Sequence, residues 1–206
     1  MAMVELIDDQ FGRILEALEE TGQAEDTLVV FMSDHGEMLG DHGIYFKGPH
    51  FYDCAVRVPL VIRWPGGDVR QNIRAEGLVE LLDLAPTFLD AAGLPIPERM
   101  QGSSLLPVLR GETDSSSIRP HVYSEYYNAW THKNAYGTML RTETEKIIVY
   151  HGTEQGELYN LCTDPNEFHN LWGDASEQDR KLRLMKACFD ASVLAMDPAP
   201  PRRGPF

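Results

Sequence analysis

Positive charge is scarce in this sequence: 18 Lys and Arg residues stand against 32 Asp and Glu, a formal net charge of -14. That balance excludes nucleic acid as a general partner, because phosphate backbones are held by basic surface. An anionic small molecule would therefore need a local positive charge, from a metal ion or from Lys47. Cysteine is scarce too. Cys54, Cys162 and Cys188 are odd in number, far apart and form no CxxC pair. A disulfide framework and a thiolate zinc site are thereby excluded, and all three read as small buried apolar residues. No apolar run approaches the ~20 residues of a membrane helix, and the N-terminus lacks the basic segment and apolar core of a secretory signal. No membrane contact is expected. The compartment stays open, with the cytoplasm preferred and the natural N-terminus expected upstream of Met1. Internal repeats are absent. What the chain does have is 206 residues with 43% hydrophobic content, enough for one sizeable cored domain or one with a small appendage.

Val4, Ile7, Phe11, Ile14 and Leu18 recur at spacings of three and four, which predicts a helix from about residue 3 to residue 20 that ends near Gly22 and packs on a sheet. Asp8 and Asp9 lie on it and read as solvated carboxylates rather than metal ligands. Residues 28–33 and 59–64 read as short apolar strands of a sheet covered on both faces. Trp64-Pro65-Gly66-Gly67 marks a turn. Asp83 is expected to cap a helix through Leu84-Ala85-Pro86-Thr87-Phe88-Leu89, closed by Gly93. Residues 93–120, with their prolines and the Ser115-Ser116-Ser117 run, read as a surface connection. Beyond it, residues 121–125, 136–141, 146–150 and 157–159 predict an antiparallel sheet. A helix over 178–196 follows, with Leu182, Met185, Phe189, Val193 and Met196 on its apolar stripe. The Pro-rich tail from Pro198 is expected to be loosely ordered.

The chemistry concentrates where Leu28-Val29-Val30-Phe31-Met32 stops. Asp34 and His35 then sit at the carboxyl end of a strand, the edge at which open α/β sheets bind ligands. Adjacent residues in a strand face opposite ways, so the two share a ligand only if the chain leaves the pleat, which Gly36 permits. A carboxylate and an imidazole suit Mn, Zn or Fe and, less readily, Ca or Mg; further donors must come from elsewhere. Ser33-Asp34-His35 is not a nucleophilic triad, because such triads join residues distant in sequence. A self-contained set of Asp34, His35, Asp41 and His42 competes with a plain turn at Asp41-His42, and the turn is preferred. Lys47, among Tyr45, Phe46 and Tyr52, is either a solvated lysine or a partner for a substrate oxyanion. His50 is either a proton donor to a leaving oxygen or a turn cap. Arg57 is expected to hold the loop by ion pairing.

Taken in series, Ser33-Asp34-His35-Gly36-Glu37, Lys47, Val56-Arg57-Val58-Pro59-Leu60-Val61-Ile62-Arg63-Trp64-Pro65-Gly66 and Leu82-Asp83-Leu84-Ala85-Pro86-Thr87 resemble the later part of sulfatases in the alkaline phosphatase superfamily. Glu157-Leu158-Tyr159-Asn160-Leu161, Asp164-Pro165 and Asn170-Leu171 resemble their C-terminal segment. The resemblance implies an α/β fold: part of an alkaline-phosphatase-like sheet flanked by helices (residues 1–112), followed by a small C-terminal antiparallel sheet with a helix (residues 113–206). It implies hydrolysis of sulfate esters, with phosphonate monoester and phosphodiester hydrolysis as alternatives and an anionic small-molecule ester as substrate. Asp34 would ligate one divalent cation, Ca or Mn first and Mg or Zn next. His35 stands where many sulfatases carry Asn and is similar to the phosphonate monoester hydrolase and choline-sulfatase-like branches. Lys47 would bridge to sulfuryl or phosphoryl oxygens, and His50 stays a catalytic candidate without a firm role.

The family's formylglycine arises from a Cys/Ser-x-Pro-x-Arg motif that these residues do not contain, since Cys54 opens Cys-Ala-Val-Arg and Cys188 opens Cys-Phe-Asp-Ala. The chain thus resembles the C-terminal part of such an enzyme and is expected to be inactive alone. It would associate with an N-terminal half, or with itself through exposed sheet surface. A non-catalytic scaffold and a metal-dependent phosphomutase are the competing readings. Tyr123, Tyr126, Tyr127, Trp130 and His132 either line the pocket or pack between subdomains.

Overall fold

A computed structural model describes residues 2–128 and 134–196. Trp130, His132 and the tail from Pro198 lie outside the described residues.

The C-terminal half is built on a four-stranded antiparallel sheet in the order β3 (Val122–Tyr127), β4 (Tyr136–Arg141), β5 (Glu145–Tyr150) and β6 (Gly156–Asn160). Strand alternation sends side chains to opposite faces. Met139, Ile148 and Tyr159 form one buried cluster with Phe51 and Leu161, while Leu140, Ile147 and Leu158 form another with Leu184 and Cys188. The strands therefore read as near-continuous apolar runs, as they do when both faces are covered. One cover is helix α5 (Gln178–Leu194). Its packed face is not the stripe predicted from the large residues. Leu182 and Phe189 are 70% and 67% exposed, and the face against the sheet carries Leu184, Ala187, Cys188 and Ala191. Both stripes have helical spacing, but small residues let the helix lie close to the sheet.

The N-terminal elements are built differently. Helix α1 (Ala2–Glu20) ends two residues before Gly22, as its spacing predicts. Strands β1 (Val29–Met32) and β2 (Leu60–Arg63) pair antiparallel, with Val29 opposite Arg63 and Met32 opposite Leu60. The expectation of a sheet covered on both faces is not met: among the described residues this sheet has two strands, and Val61 is 60% exposed. Nor does α1 bury its stripe on it. Phe11 meets Phe31 edge-on at 5.2 Å and Glu19 pairs with Arg63 at 2.7 Å, but Val4, Ile7 and Ile14 remain in solvent.

Between these regions lie α3 (Leu84–Ala91) and α4 (Leu106–Arg110). Asp83 precedes α3 but gives it no side-chain cap. It is instead a buried acceptor, taking the backbone N–H groups of Glu80 and Ser103 at 2.8 Å each and pairing with Arg119. Burial pushes its carboxyl up to about 6, against the opposing pull of the Ser103 N–H. Residues 93–120 are not all surface connection, because Leu105, Leu106 and Val108 are buried. No helix among the described residues is long and apolar enough to cross a membrane.

Candidate active-site loop

The chain leaves the pleat immediately after β1. The Ser33 hydroxyl donates to the His35 carbonyl at 2.9 Å, and the His35 N–H donates to Asp34 Oδ1 at 3.0 Å. These two bonds turn adjacent residues toward one point, leaving Asp34 Oδ2 3.4 Å from His35 Nε2. The imidazole is oriented from behind, with Nδ1 2.8 Å from the Gly36 carbonyl. A carbonyl only accepts, so the Nδ1–H donates to it and Nε2 turns toward Asp34 with its lone pair. Lys47 Nζ reaches that same nitrogen at 2.9 Å. Asp34 is 80% exposed, and its carboxyl is held below the usual carboxylate range chiefly by the His35 N–H.

Two features place this loop. Gly36 donates its N–H to the Ala55 carbonyl at 2.8 Å, and a Cβ at position 36 would stand 1.9 Å from the Cys54 carbonyl oxygen. Only glycine permits so close a seat on α2 (Asp53–Val56). Glu37 Oε1 accepts the N–H groups of Met38 and Lys47, which closes the intervening loop and returns Lys47 to the strand end. In the sequence Glu37 stands out only as part of the motif, and its backbone role has no separate signal there.

Asp34, His35 and Lys47 are thus side by side. His50 lies against Tyr52, ring centroids 6.4 Å apart, as the chain enters α2. Asp41-His42 does form a turn, a 3-10 segment over Asp41–Gly43, with His42 stacked on Tyr52 at 3.8 Å. Arg57 is exposed and belongs to no ion pair among the described residues, contrary to expectation. Of the cysteines, Cys188 is buried and Cys54 partly so, whereas Cys162 is exposed and departs from the expected burial. Tyr123 and Tyr126 pack against the two sheet clusters, which favours packing for that part of the aromatic stretch.

The donor chemistry suits a divalent cation in part. One carboxylate oxygen and one imidazole nitrogen converge at the spacing of neighbouring ligands around one ion. No group of three or more His, Cys, Asp or Glu side chains that could hold a metal exists among the described residues. The self-contained set with Asp41 and His42 is therefore not assembled.

This architecture is shared with a known hydrolase class. The family described as N-sulphoglucosamine sulphohydrolase, C-terminal, matches residues 40–192. An N-acetylglucosamine-6-O-sulfatase from Bacteroides thetaiotaomicron is 35% identical over 191 residues, covering 90% of this chain and 34% of that protein. Human arylsulfatase K is 33% identical over 178 residues, covering 82% and 32% respectively. A solved protein in complex with its substrate D-glucosamine-2-N,6-O-disulfate superposes with a TM-score of 0.85 at 31% identity, covering 98% of this chain and 41% of the other. The phosphonate monoester hydrolase of Agrobacterium radiobacter also gives 0.85, at 30% identity over 95% of this chain and 40% of that one. The chain belongs to the sulfatase family of the alkaline phosphatase superfamily and corresponds to its C-terminal region. It spans about a third of the length of the curated relatives it matches.

Proposed function

We propose that this chain forms one wall of the active site of a metal-dependent sulfuric-ester hydrolase. Asp34 and His35 are two donors to a single divalent cation, with Ca or Mn the first candidates and Mg or Zn the next; the imidazole nitrogen favours Mn over Ca. The cation, when bound, supplies Lewis-acid polarisation of the ester's anionic oxygens. Asp34 stays ionised across the neutral range because its carboxyl is depressed. His35 presents Nε2 in a fixed tautomer, its Nδ1–H held on the Gly36 carbonyl. Lys47 offers its ammonium to a sulfuryl oxygen. His50 is the candidate donor of a proton to the leaving oxygen. The convergence of Asp34, His35 and Lys47 at the end of β1 carries this reading.

The substrate class is an anionic ester on a small molecule, and the names of the relatives favour a sulfated sugar. Phosphonate monoester hydrolysis is the second reading, supported by the Agrobacterium neighbour. These residues hold no Cys/Ser-x-Pro-x-Arg segment, so the nucleophile and the remaining cation donors come from outside them. Residues 1–112 carry the cation site in this scheme, and residues 113–206 form the supporting subdomain.

The isolated chain, loaded with Mn2+ and offered 4-nitrophenyl sulfate, is expected to give no turnover above buffer. Turnover abolished by Asp34→Ala would show the isolated chain to be sufficient for catalysis and contradict the proposal. Retained turnover in that variant would remove Asp34 from the site.

A further inference from the structure

The side chain of Lys146 on β5 is wholly buried. Its ammonium donates to the Phe51 carbonyl at 2.9 Å and to Asp53 Oδ1 at 2.5 Å, and it forms an ion pair with Glu167 Oε1 at 2.5 Å outside hydrogen-bond geometry. Glu167 is itself buried, and its other oxygen accepts the Asp53 N–H at 2.6 Å. It holds a backbone φ of 59°, in the left-handed region that a glutamate rarely adopts. Arg141 adds a second cation to Asp53 at 3.3 Å. An ammonium taken wholly out of water persists only where its partners are well placed. Here all the partners converge on the first residues of α2. Phe51 is anchored in the same sheet, over Gly137, where a Cβ would come 2.8 Å from its ring.

The other end of α2 is the seat of the cation loop. Ala55 receives the Gly36 N–H, and the Gly36 carbonyl orients the His35 imidazole. A continuous set of contacts therefore runs from β5, through α2, to the Nε2 atom that faces Asp34 and Lys47. We propose that Lys146, with Asp53 and Glu167, is a positioning residue that holds the Asp34–His35 loop in register through α2. This rests on the reading of Asp34 and His35 as cation donors. No hydrogen bond or ion pair joins Lys146 or Glu167 to residues 34–36 among the described residues, so the proposed link runs through α2 and the Ala55 carbonyl. Burial raises the Asp53 carboxyl, but Lys146 and then Arg141 more than offset it, so the Asp53 carboxylate stays ionised.

The test uses the full chain, with Mn2+ as the probe. Lys146→Met leaves buried carboxylates short of one cation and is prone to misfold. Lys146→Met/Glu167→Gln removes one charge of each sign and keeps Arg141 on Asp53, so it serves as the second variant. In the double variant, amide exchange at Gly36 is expected to accelerate at least ~10-fold relative to Leu140 in the sheet, and the His35 ring resonances to shift. The Mn2+ dissociation constant is expected to rise about 10-fold, as when a group supporting a metal ligand is lost. A lowered Tm with Gly36 exchange, His35 resonances and Mn2+ affinity unchanged would overturn the proposal and leave Lys146 a purely structural residue. A wild-type chain that binds no Mn2+, or an Asp34→Ala variant that binds it equally, would instead sink the cation reading. The exchange at Gly36 decides the role of Lys146 in either case.

Discussion

The C-terminal sheet and the N-terminal α1–β1–β2 unit are made from similarly apolar sequence, yet they end in different surroundings. In the sheet, Leu140, Ile147, Ile148 and Leu158 are fully buried, covered on one face by α5 and on the other by the Phe51 cluster. In the N-terminal unit, Met3, Val4, Ile7, Ile14 and Val61 face solvent. The difference teaches that hydrophobic periodicity identifies an element without saying what will cover it. The sheet finds its covers within the described residues; the N-terminal unit shows an apolar face larger than the pair of strands can hide. As a rule, contiguous exposed apolar faces mark association surfaces.

The comparison can be broken most directly by removing core from the covered region. Leu184→Ala takes away the largest of the residues that join α5 to the sheet and is expected to destabilise by about 2–5 kcal/mol, read from urea unfolding. A loss under ~1 kcal/mol would mean that the α5 face is not closely packed.

Acid supplies a smaller and more specific effect. Asp53 has its folded pKa depressed by Lys146 and Arg141 against the cost of burial. Its stabilisation is thus fully present above the unfolded value of about 3.9 and is lost as pH falls through the lower folded value. Wild-type unfolding free energy should fall over that acid window, and Asp53→Asn should flatten this part of the curve. Equal slopes in the two proteins would remove the ion pair from the account.

The smallest effect belongs to the N-terminal unit. Ile7→Ser on the solvent-facing stripe of α1 is expected to change unfolding free energy by less than ~0.5 kcal/mol while reducing self-association in sedimentation. A loss as large as that of Leu184→Ala would show that Ile7 is covered in solution.

Much of this architecture was legible in the sequence, for reasons that differ by element. β3 to β6 announced themselves through short apolar runs separated by turns, and all four formed where expected because local pattern and tertiary cover agree. The stripe of α5 was misread because Leu182, Met185 and Phe189 outweigh Leu184 and Ala187 in size, whereas close packing on a sheet rewards the smaller set. Asp83 does stand at the N-cap position of α3, but its side chain serves a capping box with Glu80 and the distant partners Ser103 and Arg119, which leave no local trace.

At the candidate site, Asp34, His35 and Lys47 could be singled out from their place after a strand and from the resemblance, while their mutual geometry rests on turns that Ser33 and Gly36 make. Lys146 and Glu167 escaped notice because a lysine within a strand and a glutamate in a loop look solvated. The nearest sequence signal was Lys146 preceding Ile147-Ile148, inside a strand buried on both faces.

The central claim is that Asp34 and His35 hold one divalent cation at the end of β1. Mn2+ titration followed by electron paramagnetic resonance, on the wild-type chain and on Asp34→Ala, tests it most directly. The account predicts one saturable site in the wild type that disappears in the variant. Equal uptake in both, or no saturable binding in the wild type, would contradict it.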